Sequence, residues 1–429
     1  MTDYFFQVID FFIGIVYNKR EFIRPQNKIT ERKKSMRNES VAILDIRSGE
    51  VSFLLGAKGV NGTFAFGDSR SEKYDGYCLD GFFDVDSFRR AVVTVITAVR
   101  QNYGGVISEV CVGVPAPFIS VMTKGHTISF PSKRKICAQD VEALYDSGFN
   151  ELLASGQCIR RSEMYFTLGD NRKYFSAESL YGVSTTMLKG GLCYYFVSDY
   201  FHATVESVLK ELGFSQIRYT PSILAQAHYL LPEKKREGYA FLLDVGFLTS
   251  SISVVYGNGI VREETFDFGS GKTIVALMQA LGIDYSLAQE ILSASNISGG
   301  NVSKDLRFVS EYSGETFSVL EINEVIKCSL DELCERVESF FEKYYKDKTS
   351  VFSLNPISIT GEGIGEMRGS AEHISRRLNR LTEIVYPDLP YYDKPAFSSR
   401  IALLHSALSR PKNRSWIQRI FNSFGGRKK

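Results

Sequence analysis

Spacing for metal or disulfide chemistry is missing from this 429-residue sequence. Its seven cysteines, Cys78, Cys111, Cys137, Cys158, Cys193, Cys328 and Cys334, never form a CxxC pair, and their number is odd. The histidines His126, His202, His228, His373 and His405 are equally dispersed. Neither a zinc site nor a disulfide framework is indicated, and the cysteines read as reduced, buried thiols of a cytoplasmic protein. An excess of charge of one sign is lacking too, with 51 basic residues against 49 acidic. Six of the basic residues fall in the last nineteen positions, so the body is slightly acidic. A nucleic-acid partner would normally leave a basic footprint there, and none is visible.

Apolar runs long enough to cross a bilayer are also absent. The densest stretch, Tyr4 to Tyr17, has Asp3 beside it and Asp10 inside it, and no basic region precedes it as a signal peptide requires. Basic residues follow instead, at Lys19-Arg20 and Arg32-Lys33-Lys34. The segment reads as a second interfacial helix, a helix docked on the body, or an upstream extension absent from the cellular product. The third reading is preferred, because Met36 directly precedes what begins like a complete domain.

Pro411 to Lys429 carries six basic side chains, no acid and the single tryptophan. On a helix from Ser415 to Phe424, the residues Trp416, Ile417, Ile420, Phe421 and Phe424 share one stripe, with Gln418, Arg419, Asn422 and Ser423 opposite. Ser415 suits the N-cap, Gly425-Gly426 the stop, and Arg427, Lys428 and Lys429 the negative end of the helix dipole. Such a helix is too short to span a membrane and suited to lie in an anionic interface. The alternative, docking on the protein's own core, is disfavoured by the polar linker Ser409 to Arg414.

The body repeats one figure. Val41-Ala42-Ile43-Leu44-Asp45 is a buried strand that turns at Arg47-Ser48-Gly49 and returns as Val51 to Leu55. Tyr239 to Asp244, a turn from Gly246 to Thr249, and Ile252 to Tyr256 do the same. Helical stretches follow each hairpin, at Asp84 to Gln101 and Gly271 to Leu281, so an internally duplicated, two-lobed α/β molecule is expected. Strands are further expected at Glu109–Val114, Met164–Leu168 and Leu192–Val197, and helices at Ala138–Leu153 and Ile322–Tyr345. Pro356 to Thr360 runs into a glycine turn at Gly361-Glu362-Gly363. An aspartate ending a strand can hold Mg2+ through water while the following turn cradles phosphate on backbone N–H groups. Two such turns facing each other would clamp a nucleotide.

These motifs resemble those of the actin-like ATPase superfamily and, within it, the bacterial cell-division protein FtsA. Leu44-Asp45-Ile46 through Gly56 is similar to the first phosphate loop, Leu243-Asp244-Val245-Gly246 through Tyr256 to the second, and Ile359-Thr360-Gly361-Glu362-Gly363 to the adenosine turn. Pro395 to His405 and Tyr219 to His228 look like the paired connecting helices, and Ser415-Trp416-Ile417-Gln418-Arg419 like the membrane-targeting helix. The resemblance implies ATP and Mg2+ as ligands, held by Asp45, Arg47, Ser48, Gly49, Asp244, Gly246, Thr249, Gly361 and Gly363, with Mg2+ at Asp45 and Asp244 through water. It implies an extension at 1–37, a first lobe at 38–107 and an inserted FtsA-type (SHS2-like) subdomain at 108–196. The chain would return to the first lobe at 197–218 and build a second lobe at 219–388, with a smaller subdomain at about 282–350. A connecting helix at 389–408, a linker at 409–414 and the membrane helix at 415–429 would complete it. The implied partners are a tubulin-like FtsZ filament, further copies of the chain, and the inner face of the cell membrane at the division septum.

Departures from the family pattern point away from turnover. Arg47 stands where the family has glycine, Phe247-Leu248 make a bulky turn where backbone must approach phosphate, and Glu362 puts a negative charge beside the nucleotide position. Nucleotide binding is therefore expected to be weak or lost, with the fold serving as a scaffold. The rivals are an active actin-like ATPase and a scaffold for another envelope process such as pilus assembly. Gly269-Ser270-Gly271-Lys272-Thr273 resembles a Walker A loop, but Phe266 occupies the leading glycine position, and the segment reads as a helix start capped by Ser270. Asp140 and Glu142, and Asp331, Glu332 and Glu335, read as solvated helix faces.

Overall fold

A computed structural model describes residues 40–409, apart from 60–62, 153–155, 171, 299–302, 312 and 346–354. The N-terminal segment up to residue 39 and the membrane helix expected at 415–429 lie outside the described residues. Strands β1 (Val41–Ile46), β2 (Glu50–Lys58) and β3 (Phe64–Lys73) form an antiparallel meander, with Val41 opposite Gly56 and Ile46 opposite Val51. The helix Val85–Tyr103 follows, capped by the Asp84 carboxylate and stopped by Gly104 in the left-handed region. Strand β4 (Glu109–Val114) then adds parallel to β1. β1 is covered on both faces, which is why it reads as an unbroken apolar run. The Val85–Tyr103 helix packs one face, while Ser222–Leu230 and Ser398–Leu408 pack on each other and cover the other face.

Strands β5 (Ile119–Lys135), β6 (Gln157–Thr167), β7 (Lys173–Tyr174) and β8 (Ser184–Val197) build a separate sheet in the order 5-8-6-7. Leu144 of the helix Ala138–Asn150 packs with Phe166, Leu188 and Leu192 in its core. The chain returns through the helix Asp199–Glu211 to β9 (Gln216–Pro221), which pairs parallel with β4. The second lobe contains β10 (Tyr239–Val245), β11 (Ser250–Tyr256), β12 (Gly259–Phe266), the short pair β13 (Arg307–Val309) and β14 (Thr316–Ser318), β15 (Ile357–Thr360) and β16 (Thr382–Ile384). Sheet orders 3-2-1-4-9 and 12-11-10-15-16 are the same figure with the same strand senses, so the duplication extends from sequence to topology.

Several boundaries differ from expectation. Glu109–Val114, assigned to the insert, is β4 of the first lobe, and the separate sheet begins only at Ile119. Tyr219 to Leu230, assigned to the second lobe, ends β9 and forms a first-lobe helix. Asp140 is buried rather than solvated, because it accepts the Cys137 N–H at 2.9 Å at the helix start and pairs with Arg134. The Ser270–Leu281 helix has Gly269, not Ser270, at its N-cap. All seven cysteines are free, but Cys137 and Cys328 are exposed.

The insert also fastens to the second lobe. Asn258, at the β11–β12 turn, donates its N–H to the Glu163 carbonyl at 3.0 Å and its Nδ2 to Glu163 Oε1 at 2.9 Å and the Phe175 carbonyl at 2.8 Å. Ile260 N–H donates to the Tyr195 hydroxyl at 2.9 Å. Gly257 is obligatory here: its φ is +58° and a Cβ would lie 1.8 Å from the Met164 carbonyl oxygen.

Candidate functional site

The two central strands end in matching positions. Asp45 of β1 lies opposite Ser52, Asp244 of β10 opposite Ser251, and each carboxylate stands where its hairpin turn begins. The turn after β1 carries Arg47, Ser48 and Gly49. The turn after β10 carries Gly246, Phe247, Leu248 and Thr249, and Gly361 to Gly363 follow β15 beside it. All nine residues expected at a nucleotide site on sequence grounds thus surround the junction between the lobes.

What they do there is bind one another. Arg47 crosses to the second lobe and grips Asp244 with both terminal nitrogens, Nη1 to Oδ2 at 2.7 Å and Nη2 to Oδ1 at 2.9 Å, while its Nε lies 3.7 Å from Glu362 Oε2. Gln226 Nε2 donates to Asp244 Oδ2 at 3.0 Å, and the Tyr74 hydroxyl holds the Arg47 carbonyl at 2.8 Å. Burial alone would push Asp244 up, but the adjacent guanidinium and its hydrogen bonds overcome this and hold the carboxyl below its usual value. Asp45 is only 1% exposed and accepts the Ser399 hydroxyl at 2.6 Å, and burial pushes it up. Burial likewise pushes Glu362 up, against the opposing pull of Arg47. The guanidinium keeps its charge throughout.

The backbone donors that would cradle phosphate are occupied as well. Gly246 N–H donates to the Thr249 carbonyl at 3.0 Å, Phe247 N–H to Glu362 Oε1 at 3.0 Å, and Leu248 N–H to Ser48 Oγ at 2.9 Å. At the Ser270–Leu281 helix start, Ser270 N–H and Gly271 N–H point at the Gly246 and Phe247 carbonyls, at 3.0 and 2.8 Å. The glycines serve this packing. Gly361 has φ +106°, and a Cβ there would meet Asp244 Oδ1 at 2.3 Å, while one on Gly49 would meet the Phe247 ring at 2.7 Å. The space remaining at the junction is about 30 Å3, bordered by Arg47, Ser48, Asp244, Gly246 and Thr249 among others. A small-molecule pocket needs roughly 300 Å3 or more. ATP does not fit the described arrangement, and Asp244, expected to hold Mg2+ through water, holds a guanidinium instead. Among the described residues no cluster of three or more His, Cys, Asp or Glu side chains is placed to hold a metal ion.

No protein-family model matches the chain, and no curated protein matches it significantly. Solved structures do match. A PilM-PilN type IV pilus biogenesis complex aligns with a TM-score of 0.55 at 12% identity, over 86% of this chain and 99% of that one. MreB 5 of Spiroplasma citri bound to AMPPNP aligns with a TM-score of 0.50 at 10% identity, over 90% and 99%. The fold is that of the actin-like ATPases. At the junction the Arg47 guanidinium answers Asp244, and the Glu362 carboxylate accepts the Phe247 N–H. Sequence reasoning identified Arg47, Phe247 and Glu362 as departures but not that they answer one another, and it missed Gln226, Ser399 and Tyr74. An arginine and a carboxylate appearing together in turns expected to be small and neutral was the available signal.

Proposed function

We propose that this protein is a membrane-tethered actin-fold scaffold of the FtsA kind, holding FtsZ-type filaments at the inner face of the cell membrane, with its ligand charges built into the chain. The observation that carries the scaffold reading is the Arg47–Asp244–Glu362 contact, which fills with side chains the place where a nucleotide would otherwise join the lobes. Turnover has no role in such a molecule, and adhesion through repeated weak contacts does the work.

The tether is the segment at 415–429. Burying a large apolar side chain contributes roughly 1.5–3 kcal/mol, and each cation near an anionic leaflet about 1 kcal/mol, before the ordering of the segment is subtracted. One copy therefore binds reversibly, and an array along a filament holds by avidity. None of the described helices is long and apolar enough to cross a membrane. Liposome co-sedimentation tests the reading: the full chain should pellet with anionic vesicles and release at high salt, and Trp416→Glu should abolish pelleting. Unchanged pelleting of that variant would remove the tether. The likeness to the PilM-PilN complex supports a second reading, a scaffold for another envelope assembly such as the pilus, and absence from the division septum would favour it.

A further inference from the structure

The stretch Tyr74 to Phe88 contains four aspartates, Asp75, Asp80, Asp84 and Asp86, and no basic residue. It folds into a loop pinned by Phe83 N–H to the Gly76 carbonyl at 3.1 Å and by the Tyr77–Phe82 bridge. Its inner aromatics Phe82 and Phe88 stack in the first-lobe core, yet Leu79, Phe83 and Val85 remain 41%, 61% and 37% exposed. Tyr200, 45% exposed, extends the patch, because its ring lies 6.2 Å from Phe82 and Asp199 stands beside it. Asp84 caps the following helix and pairs with Arg90 at 3.5 Å, so the acidic rim is Asp75, Asp80, Asp86 and Asp199, and an apolar centre with an acidic rim is the counterpart of a basic amphipathic helix.

The chain's last nineteen residues have that composition, but the same molecule's copy cannot reach. Helix Ser398–Leu408 starts with Arg400 beside Glu50 and Ser71, at the patch end of β3, and runs to His405 beside Phe64, at the opposite end. It lies on one face of the first sheet and the Val85–Tyr103 helix on the other. The ten residues of β3 separate the two ends by about 30 Å. Ser409 to Ser415 spans at most about 21 Å when fully extended, and would also have to pass around the sheet edge.

We propose that the Leu79–Phe83–Val85–Tyr200 patch receives the C-terminal segment, Trp416 to Phe424, of a second copy of this chain. The inference rests on the reading of that segment as a basic amphipathic helix, and it makes the membrane and the neighbouring copy competitors for one stripe. Off the membrane the tail of one copy docks on the next; on the membrane the patch is released. The contact is between unlike surfaces, so mutants in its two halves complement each other.

Analytical ultracentrifugation of the full chain without lipid tests this. The wild type should associate with rising concentration, and added salt should weaken the association. Phe83→Asp, at an exposed position, and Trp416→Glu should each sediment as monomers. An equimolar mixture of the two, with one intact patch and one intact tail between them, should recover association. A wild type that stays monomeric, a Trp416→Glu variant that associates as well as the wild type, or a mixture that stays monomeric would overturn the proposal. Anionic vesicles separate it from the tether reading. Phe83→Asp should still pellet with them, and its failure to do so while the wild type pellets would overturn the competition between patch and membrane. If no form pellets yet complementation holds, the tether falls and the docking stands.

Discussion

Replacing Arg47 by methionine keeps an unbranched apolar stem, shorter than the arginine, and removes the charged guanidinium that reaches Asp244. Asp244 would then retain only Gln226, and Glu362 only the Phe247 N–H, in a site where Arg47 and Asp244 are about nine-tenths buried. Breaking one side of a buried ion pair typically costs about 3–5 kcal/mol, because a desolvated charge is left unanswered. Replacing both partners by apolar residues of similar size is often close to neutral. Arg47→Met should therefore lower the urea midpoint by about 1–2 M, taking an m-value near 3 kcal/mol/M. The double variant Arg47→Met, Asp244→Leu should recover more than half of that loss. Urea unfolding followed by tyrosine fluorescence and circular dichroism closes the cycle with Asp244→Leu alone. A single-variant loss under about 1 kcal/mol, or a double variant as unstable as the two singles combined, would refute the view that these groups form one coupled contact.

The half-buried His228 and Glu263 near the insert predict opposite pH responses. His228 is held neutral by burial, its pKa lowered to about 4, so stability is full above about 6.5 and is lost as pH falls from there toward 4. Burial pushes Glu263 up to about 7, so its folded form holds a proton that the unfolded chain has released, and its contribution grows as pH falls from 7 toward 4.5. Between pH 7 and 5, His228→Gln should gain and Glu263→Gln lose about 2 kcal/mol relative to the wild-type trend, as read by unfolding at the two pH values. Gly257→Ala should cost more than the 1–2 kcal/mol of a left-handed alanine, because its Cβ meets the Met164 carbonyl. Hydrogen exchange should show faster opening of β6 and the β11–β12 turn, and unchanged protection there would count against the fastening of insert to second lobe.

Local sequence carried the hairpins and most long helices. Val41 to Asp45 and Tyr239 to Asp244 are apolar runs ending in a polar turn, and both strands lie where those runs place them. The helix read as Ile322–Tyr345 starts three residues earlier, at Val319, and that read as Ala138–Leu153 stops at Asn150. β5 went unread because its alternation of Thr123, Gly125, Thr127 and Ser129 with Met122, Lys124 and His126 has little apolar contrast. The helices Asp199–Glu211 and Tyr285–Ala294 were passed over although Ser198 and Asp284 cap them, so a local signal existed. The site was different in kind. Its positions were legible from the duplicated turns, but Arg47 and Asp244 are 197 residues apart, and no local pattern tells a guanidinium which carboxylate it will meet.

Arg47, Asp244 and Glu362 hold one another at the junction between the lobes, and on the proposed reading they leave no place there for a nucleotide. Isothermal titration of the full chain with ATP and Mg2+ addresses it directly. No saturable heat should appear up to about 1 mM ligand, which corresponds to binding weaker than about −4 kcal/mol. Stoichiometric, Mg2+-dependent binding at micromolar concentration, abolished in the Asp244→Leu variant, would contradict it.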